Sequence, residues 1–104
     1  MSLEQFQQTV NAGVTLVDFN ATWCAPCRAQ EPIIKKLKEL YQNRASIIEI
    51  NIDDHNTLAT TYMVQSIPTL IVFKNGKEVK RFVGLQSQAA IAKSLDEVLV
   101  NLNQ

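Results

Sequence analysis

Residues 14–27 read VTLVDFNATWCAPC, an apolar run that leads into two cysteines three positions apart. Val14 to Asn20 has the length and apolar content of a buried strand. From Cys24 to about Asn43 the apolar residues recur at helical intervals. The predicted apolar face of this helix comprises Ile33, Leu37, Leu40 and Tyr41. The pattern therefore places Cys24 at the N-terminus of a long helix that directly follows a strand.

The flanking sequence extends this unit into an α/β fold. A short helix is predicted over about residues 2–11, where Ser2 and Gln5 have the spacing of a capping box. Residues 47–52 are β-branched and short, as expected of a buried parallel strand. Together with the strand at 14–20 and the long helix, they complete a βαβ unit whose crossover should be right-handed.

The second half of the chain predicts a hairpin between two helices. A modest helix around residues 56–63 precedes an apolar strand over 69–74. Asn75-Gly76 is a strong hairpin signal and pairs that strand with residues 78–83. Ser87 is expected to cap the last helix. The core-facing residues of this helix are predicted to be Ile91, Leu95, Val98, Leu99 and Leu102.

The composition fits one compact domain over residues 1–104, because 46% of them are hydrophobic and can form a single core. We expect a central mixed sheet of about four strands flanked by four helices. Ten basic residues balance ten acidic ones, so nucleic acid or an anionic membrane is a poor candidate partner. The sequence begins without a basic leader or an apolar signal region, and no run is long enough to span a membrane. A cytoplasmic protein is expected.

The cysteine pair is the candidate site. Two cysteines so close together cannot be the framework of a secreted mini-protein, and a cytosolic disulfide is usually transient. At a helix N-terminus, unpaired N–H groups and the helix dipole favour the thiolate of Cys24, which is the nucleophile in disulfide exchange. Cys27, one turn on, can then attack Cys24 and release a reduced substrate. Pro26 lies in the first turn, where its missing N–H is no loss.

Other interpretations of the cysteine pair are weaker. Zinc and iron–sulfur sites usually need four ligands, and the chain has no other cysteine and one histidine, His55. No metal is therefore expected, and His55, in a polar loop, should be solvated. A passive disulfide or a pair of buried thiols is the remaining alternative.

Residues 17–27, VDFNATWCAPC, resemble the active-site segment of the thioredoxin family. Further resemblances to that family follow in order along nearly the whole chain. They are the kinking proline at Pro32, the central-strand end at residues 51–53, the cis-proline segment at 67–69, the hairpin at 73–76 and the glycine-bearing strand at 82–84. The resemblance implies the thioredoxin fold and a protein-disulfide reductase that binds no cofactor. It also implies a thioredoxin reductase, supplied by NADPH, and disulfide-containing client proteins as partners, with the protein itself a monomer.

The same resemblance assigns roles to individual residues. Cys24 would be the attacking cysteine, Cys27 the resolving one, and Pro68 a cis-proline packed against their disulfide. Asp18 would be the buried acid behind Cys27 that accepts its proton; in an apolar strand such an acid is costly unless it has a task. The alternative interpretation of Asp18 is an aspartate at the end of the strand whose side chain faces solvent. The implied substrate-binding surface comprises Trp23, Ala25, Pro26, Ile67, Thr69, Val83 and Gly84.

Several positions depart from the family pattern. Ala25 replaces a glycine, Asn20 stands where many bacterial members have tryptophan, and Glu49 where they have lysine. The family's first strand is missing, so residues 47–52 should form an exposed sheet edge. These departures leave open a specialised thioredoxin-like protein with one partner. A binding module or chaperone with incidental cysteines is a third interpretation, which the cysteines, the acid and the proline together disfavour.

Overall fold

The structure, a computed structural model, describes the fold of residues 1–101, which form four helices and four strands. In chain order the elements are α1 (Leu3–Val10), β1 (Val14–Asn20), α2 (Ala25–Leu40), β2 (Ser46–Asn51), α3 (Asn56–Thr61), β3 (Thr69–Lys74), β4 (Lys77–Val83) and α4 (Gln88–Asn101). Within this range the predicted set of elements is confirmed. No helix in the described part of the chain is both long and apolar enough to cross a membrane.

The sheet is mixed, with strand order β2-β1-β3-β4. β1 is central and pairs in parallel with β2 and antiparallel with β3, while β3 and β4 form the hairpin. Asn75 and Gly76 both have positive φ, 50° and 86°, as the tight turn requires. β2 lies at the edge as expected, and of its side chains only Ile50 is buried. The prediction of a buried strand was therefore wrong, because Ile47 and Ile48 are only partly covered by the cores on the two faces of the sheet.

Two hydrophobic cores lie on opposite faces of the sheet, because successive strand residues point to opposite sides. Val14 and Leu16 of β1, and Ile47 of β2, pack with α2 and α4. Val17 and Phe19 pack on the other face, with α1 and α3. Asp18 and Asn20 therefore follow Leu16 onto the α2 face, which places them beneath the helix that begins at the cysteines.

The helix ends are where the predictions failed most. α2 stops at Leu40, three residues before the predicted end, because the chain turns through a left-handed conformation at Asn43, with φ 69°. Leu40 is 45% exposed, whereas Ile34, which was not predicted to face the core, is fully buried. α3 ends at Thr61, two residues early.

Helix capping was predicted better than helix length. The capping box at Ser2 and Gln5 is present, and the Ser87 hydroxyl accepts the N–H of Ala90 at 3.1 Å. Of the predicted core positions on α4, Ile91 and Leu95 are fully buried and Val98 and Leu99 pack against the same core. Leu102 lies outside the described residues.

Candidate active site

A disulfide joins Cys24 and Cys27, whose Cα atoms are 5.2 Å apart. Cys24 is the N-cap of α2, and its sulfur accepts the backbone N–H of Cys27 at 3.2 Å. Ala25 and Pro26, the first two residues of the helix, are exposed. The cysteines are almost equally buried, 6% and 5% exposed, so exposure does not distinguish them. The two cysteines differ in position, because Cys24 lies at the helix N-terminus, where unpaired N–H groups and the helix dipole favour a negative charge.

The loop before β3 lies against the disulfide. The peptide bond between Ile67 and Pro68 is cis, and the Ile67 carbonyl oxygen is 3.7 Å from the Cys24 sulfur. Gly84 donates its N–H to the Pro68 carbonyl at 2.8 Å. Gly84 has φ 95°, which strains any other residue, and a side chain added there would meet no atom within 4 Å. The surface beside the sulfur is therefore open at Gly84.

Trp23 lies beside this surface and is 64% exposed. Its indole N–H donates to the Asp53 carboxylate at 2.8 Å, and Asp53 in turn donates its backbone N–H to the Asn51 side chain at 2.8 Å. The large apolar ring is thus held in place without being buried. Asp53 was not predicted to have this role, since the contact joins two loops that are distant in sequence.

Thr69 and Val83 are paired across β3 and β4. Val83 is 60% exposed and available to a partner. Thr69 is only 1% exposed, and its hydroxyl donates to the Ser66 carbonyl. The expectation that Thr69 belongs to the binding surface therefore does not extend to its side chain, which instead ties down the loop that carries Pro68.

Asp18 is 1% exposed, so the alternative of a solvated aspartate is wrong. One carboxylate oxygen accepts the side-chain N–H of Asn20 at 3.4 Å, and the other has no hydrogen-bond partner among residues 1–101. Burial raises the pKa of Asp18 to about 6, and the negative charges of Glu49 and Glu31 add to this rise, while the Asn20 hydrogen bond opposes it. The group is therefore able to gain and lose a proton near neutral pH.

A cleft of about 230 Å³ opens next to Cys27. Its walls come from the ends of β1 and β2 and from the first turns of α2. They comprise Asn20, Ala21, Thr22, Cys27, Arg28, Glu31, Glu49 and Asn51. Asn20 contacts Asp18 and lines this cleft together with Cys27, whereas Asp18 itself is buried and does not line it.

Gln30 is a fully buried polar residue that sequence reasoning missed. Its side chain donates to the Gln86 carbonyl at 3.0 Å and accepts the Gln86 N–H at 2.8 Å. It thereby ties α2 to the segment that follows Gly84. Its burial could have been predicted from its position, because it lies on the same face of the helix as Cys27, Ile34 and Leu37.

We expect Gln30→Ala to lower the free energy of unfolding by roughly 2–4 kcal/mol, since it leaves a cavity and two partly buried backbone groups unpaired. Urea unfolding of the oxidised protein measures this. Gln86→Ala is the matched control, because Gln86 contributes its backbone to this pair of bonds, and it should cost under about 1 kcal/mol. An equal loss of unfolding free energy in both variants would contradict the conclusion that the Gln30 side chain ties α2 to the segment after Gly84.

His55, expected to be solvated, is half-buried, and that prediction was wrong. Its Nδ1 lies 3.1 Å from the Asn51 carbonyl oxygen, and its Nε2 lies 3.0 Å from the Met1 amino group. Among residues 1–101, no group of three or more His, Cys, Asp or Glu is placed to hold a metal ion.

Comparison with known proteins agrees with this geometry. The family model named Thioredoxin matches residues 1–97. A thioredoxin from Staphylococcus aureus is 44% identical over 94 residues, which are 90% of each chain. The structure of a mutant thioredoxin from Halobacterium salinarum superimposes with a TM-score of 0.87 at 32% identity, over 95% of this chain and 87% of that one. The structure of Malassezia sympodialis thioredoxin superimposes with a TM-score of 0.86 at 25% identity, over 94% of this chain and 88% of that one.

Proposed function

Because the chain belongs to the thioredoxin family, we propose that its disulfide exchange runs through Cys24 as attacking thiolate and Cys27 as resolving thiol. The family and the cysteine pair make the protein a thiol-disulfide oxidoreductase that reduces disulfide bonds in other proteins. The observation that carries the order of the two cysteines is the N-cap position of Cys24, whose sulfur receives a helix N–H.

The exchange conserves atoms and electrons. The Cys24 thiolate attacks one sulfur of a client disulfide, forms a mixed disulfide and expels the other client sulfur as a thiolate. Cys27 then loses its proton and attacks the Cys24 sulfur, which releases the second client thiolate. The client gains two electrons, its two thiolates take protons from solvent, the Cys27 proton passes to the acceptor, and the protein is left with the Cys24–Cys27 disulfide.

Asp18 is the proposed acceptor of the Cys27 proton. A buried carboxyl whose pKa is raised to about 6 is ionised at neutral pH yet basic enough to take a proton. Asn20, the hydrogen-bond partner of Asp18, lines the same cleft as Cys27, and we propose that water in this cleft relays the proton toward the acid.

The client would dock on the surface around Cys24. Exposed Trp23, Pro26 and Val83 offer apolar contacts, and the open space at Gly84 admits an extended segment beside Ile67. The Ile67 carbonyl oxygen lies 3.7 Å from the Cys24 sulfur, and the Ile67 backbone would pair with the client chain.

Regeneration requires a second partner. We assign this to a thioredoxin reductase that draws electrons from NADPH, and we place the protein in the cytoplasm, where reducing systems keep thiols reduced. Residues 1–104 would work as one domain, and as a monomer, since the exchange needs one cysteine pair.

The test is redox equilibration against glutathione, followed by a coupled assay with thioredoxin reductase, NADPH and a disulfide-bonded protein. We expect the cysteine pair to be more reducing than glutathione, and NADPH oxidation to require this protein in catalytic amounts. A pair that oxidises client dithiols instead would identify an oxidant. A pair that the reductase ignores would indicate a specialised partner.

A further inference from the structure

Four polar side chains lie together at the carboxyl ends of β1 and β2. Asp18 is in register with Glu49, and Asn20 is in register with Asn51. Leu16 of β1 and Ile47 of β2 pack in the core beneath α2. Every second residue of a strand faces the same side, so all four polar side chains lie on this face of the sheet. Three of them, Asn20, Glu49 and Asn51, line the cleft beside Cys27, and Asp18 lies behind Asn20.

The contacts of this group are unequal. The Asn20 amide is the one side-chain donor to Asp18 among the described residues, at 3.4 Å, and the second carboxylate oxygen of Asp18 is buried without a partner. Glu49 is 36% exposed, and its carboxylate lies 3.5 Å from the Lys38 ammonium. Across the strand pair, Asp18 therefore faces another acid where a cation would have stabilised its charge.

These neighbours act on Asp18 in opposite directions. After burial, the Asn20 hydrogen bond is the largest influence and lowers the pKa of Asp18, while the charges of Glu49 and Glu31 raise it and that of Lys38 lowers it. Asn20 and Glu49 belong to adjacent strands and line the same cleft as Cys27. The group on which both act is the acid that is proposed to take the Cys27 proton.

We propose that Asn20 and Glu49 are opposed positioning residues for the resolving step: the amide holds the Asp18 carboxylate, the second acid repels it, and their balance sets the pH at which Asp18 can accept the Cys27 proton. The inference rests on the proposed role of Asp18 in the exchange. Asp18 must be ionised to accept a proton, so resolution of the mixed disulfide speeds up as pH rises through the titration of Asp18.

The first test is NMR titration of the Asp18 side-chain carboxyl carbon in the oxidised protein. Asn20→Ala should raise the midpoint by roughly half a pH unit or more, and Glu49→Gln should lower it by a similar amount. The double variant should return close to the parent. Asn20→Gln, which keeps an amide, should lie between parent and alanine, and Glu39→Gln, an exposed acid paired with Lys36, should change nothing.

The second test is the pH profile of mixed-disulfide resolution in the same variants. The rise in rate should move to higher pH in Asn20→Ala and to lower pH in Glu49→Gln. Below the midpoint, half a unit corresponds to roughly a threefold change in rate. Midpoints that stay fixed, or that move in the same direction in both variants, would overturn the proposal.

The two measurements separate this proposal from the proposed function. If the carboxyl midpoints shift while the rate profiles do not, Asn20 and Glu49 do not act on resolution and the inference fails. Reduction of a client disulfide by the parent protein would still support exchange at Cys24. If the parent reduced no disulfide at all, the proposed function would fail, and the NMR titration would still decide whether the two residues act on Asp18 in opposite directions.

Discussion

Cys24→Ser is expected to abolish reduction of protein disulfides, by more than roughly a thousandfold, because it removes the attacking nucleophile. Cys27→Ser should behave differently. It keeps the helix N–H groups that stabilise the Cys24 thiolate, so the first attack on a client proceeds. The mixed disulfide then persists, because no second thiol is present to release it.

Mass spectrometry after an acid quench distinguishes the two variants. Cys27→Ser should accumulate a covalent adduct with the client at Cys24, approaching one adduct per molecule, whereas Cys24→Ser should form almost none. The two cysteine residues are almost equally exposed, at 6% and 5%, so they differ mainly in their position on the helix. Adducts that form mainly through Cys27 in Cys24→Ser would reverse the assigned order.

Asp18→Asn is expected to stabilise the oxidised protein at neutral and alkaline pH. The folded-state pKa is raised from the ordinary 3.8 to about 6, so between these values the folded protein holds a proton that the unfolded chain has lost. By linkage, the free energy of unfolding of the parent falls as pH rises through that window and stays low above it. Two pKa units correspond to about 3 kcal/mol, and the amide left in the buried site reduces the expected gain to roughly 1–3 kcal/mol.

Urea unfolding at pH 3.5 and pH 8 measures this difference. At the acid pH, where the carboxyl is neutral, Asp18→Asn should equal the parent or be less stable by the cost of the buried amide, and at pH 8 it should be more stable than the parent. The matched control is Asp54→Asn, an exposed aspartate, which should leave the difference between the two pH values unchanged. A variant less stable than the parent at pH 8 would contradict the account.

The same substitution should slow the reaction. Without a proton acceptor near Cys27, resolution of the mixed disulfide at neutral pH should fall by about 10²-fold or more. Stability and activity would then change in opposite directions, as expected where a costly buried group is retained for function. An equally fast variant would remove Asp18 from the mechanism.

Much of the fold could be predicted because its signals are local. β1 and β3 have the predicted bounds, since each is an apolar run ended by a polar residue or a turn. The end of α2 was missed because Tyr41 is apolar and buried although it lies past the helix, so the periodicity continues beyond the hydrogen-bonded turns. Ile33 and Ile34 are adjacent, and the pattern did not reveal which of them faces the core.

The candidate site was predicted where one segment carries it and missed where distant segments meet. The position of Cys24 and Cys27 follows from a strand that leads directly into a helix. Trp23 and Asp53 are separated by 30 positions in the sequence, and Gln30 and Gln86 by 56. No local sequence pattern indicates either pairing. The burial of Asp18 was expected from its apolar neighbours, but its hydrogen bond to Asn20 depends on how the end of β1 packs beneath α2.

The most direct test of disulfide exchange at this site is stoichiometric. Fully reduced protein is mixed with a client that contains one disulfide, quenched with acid, alkylated and weighed by mass spectrometry. For each client disulfide reduced, one Cys24–Cys27 disulfide should appear, with both sulfurs of the client alkylated. Client reduction without formation of that disulfide, or an unreacted client beside a fully reduced protein, would contradict the account.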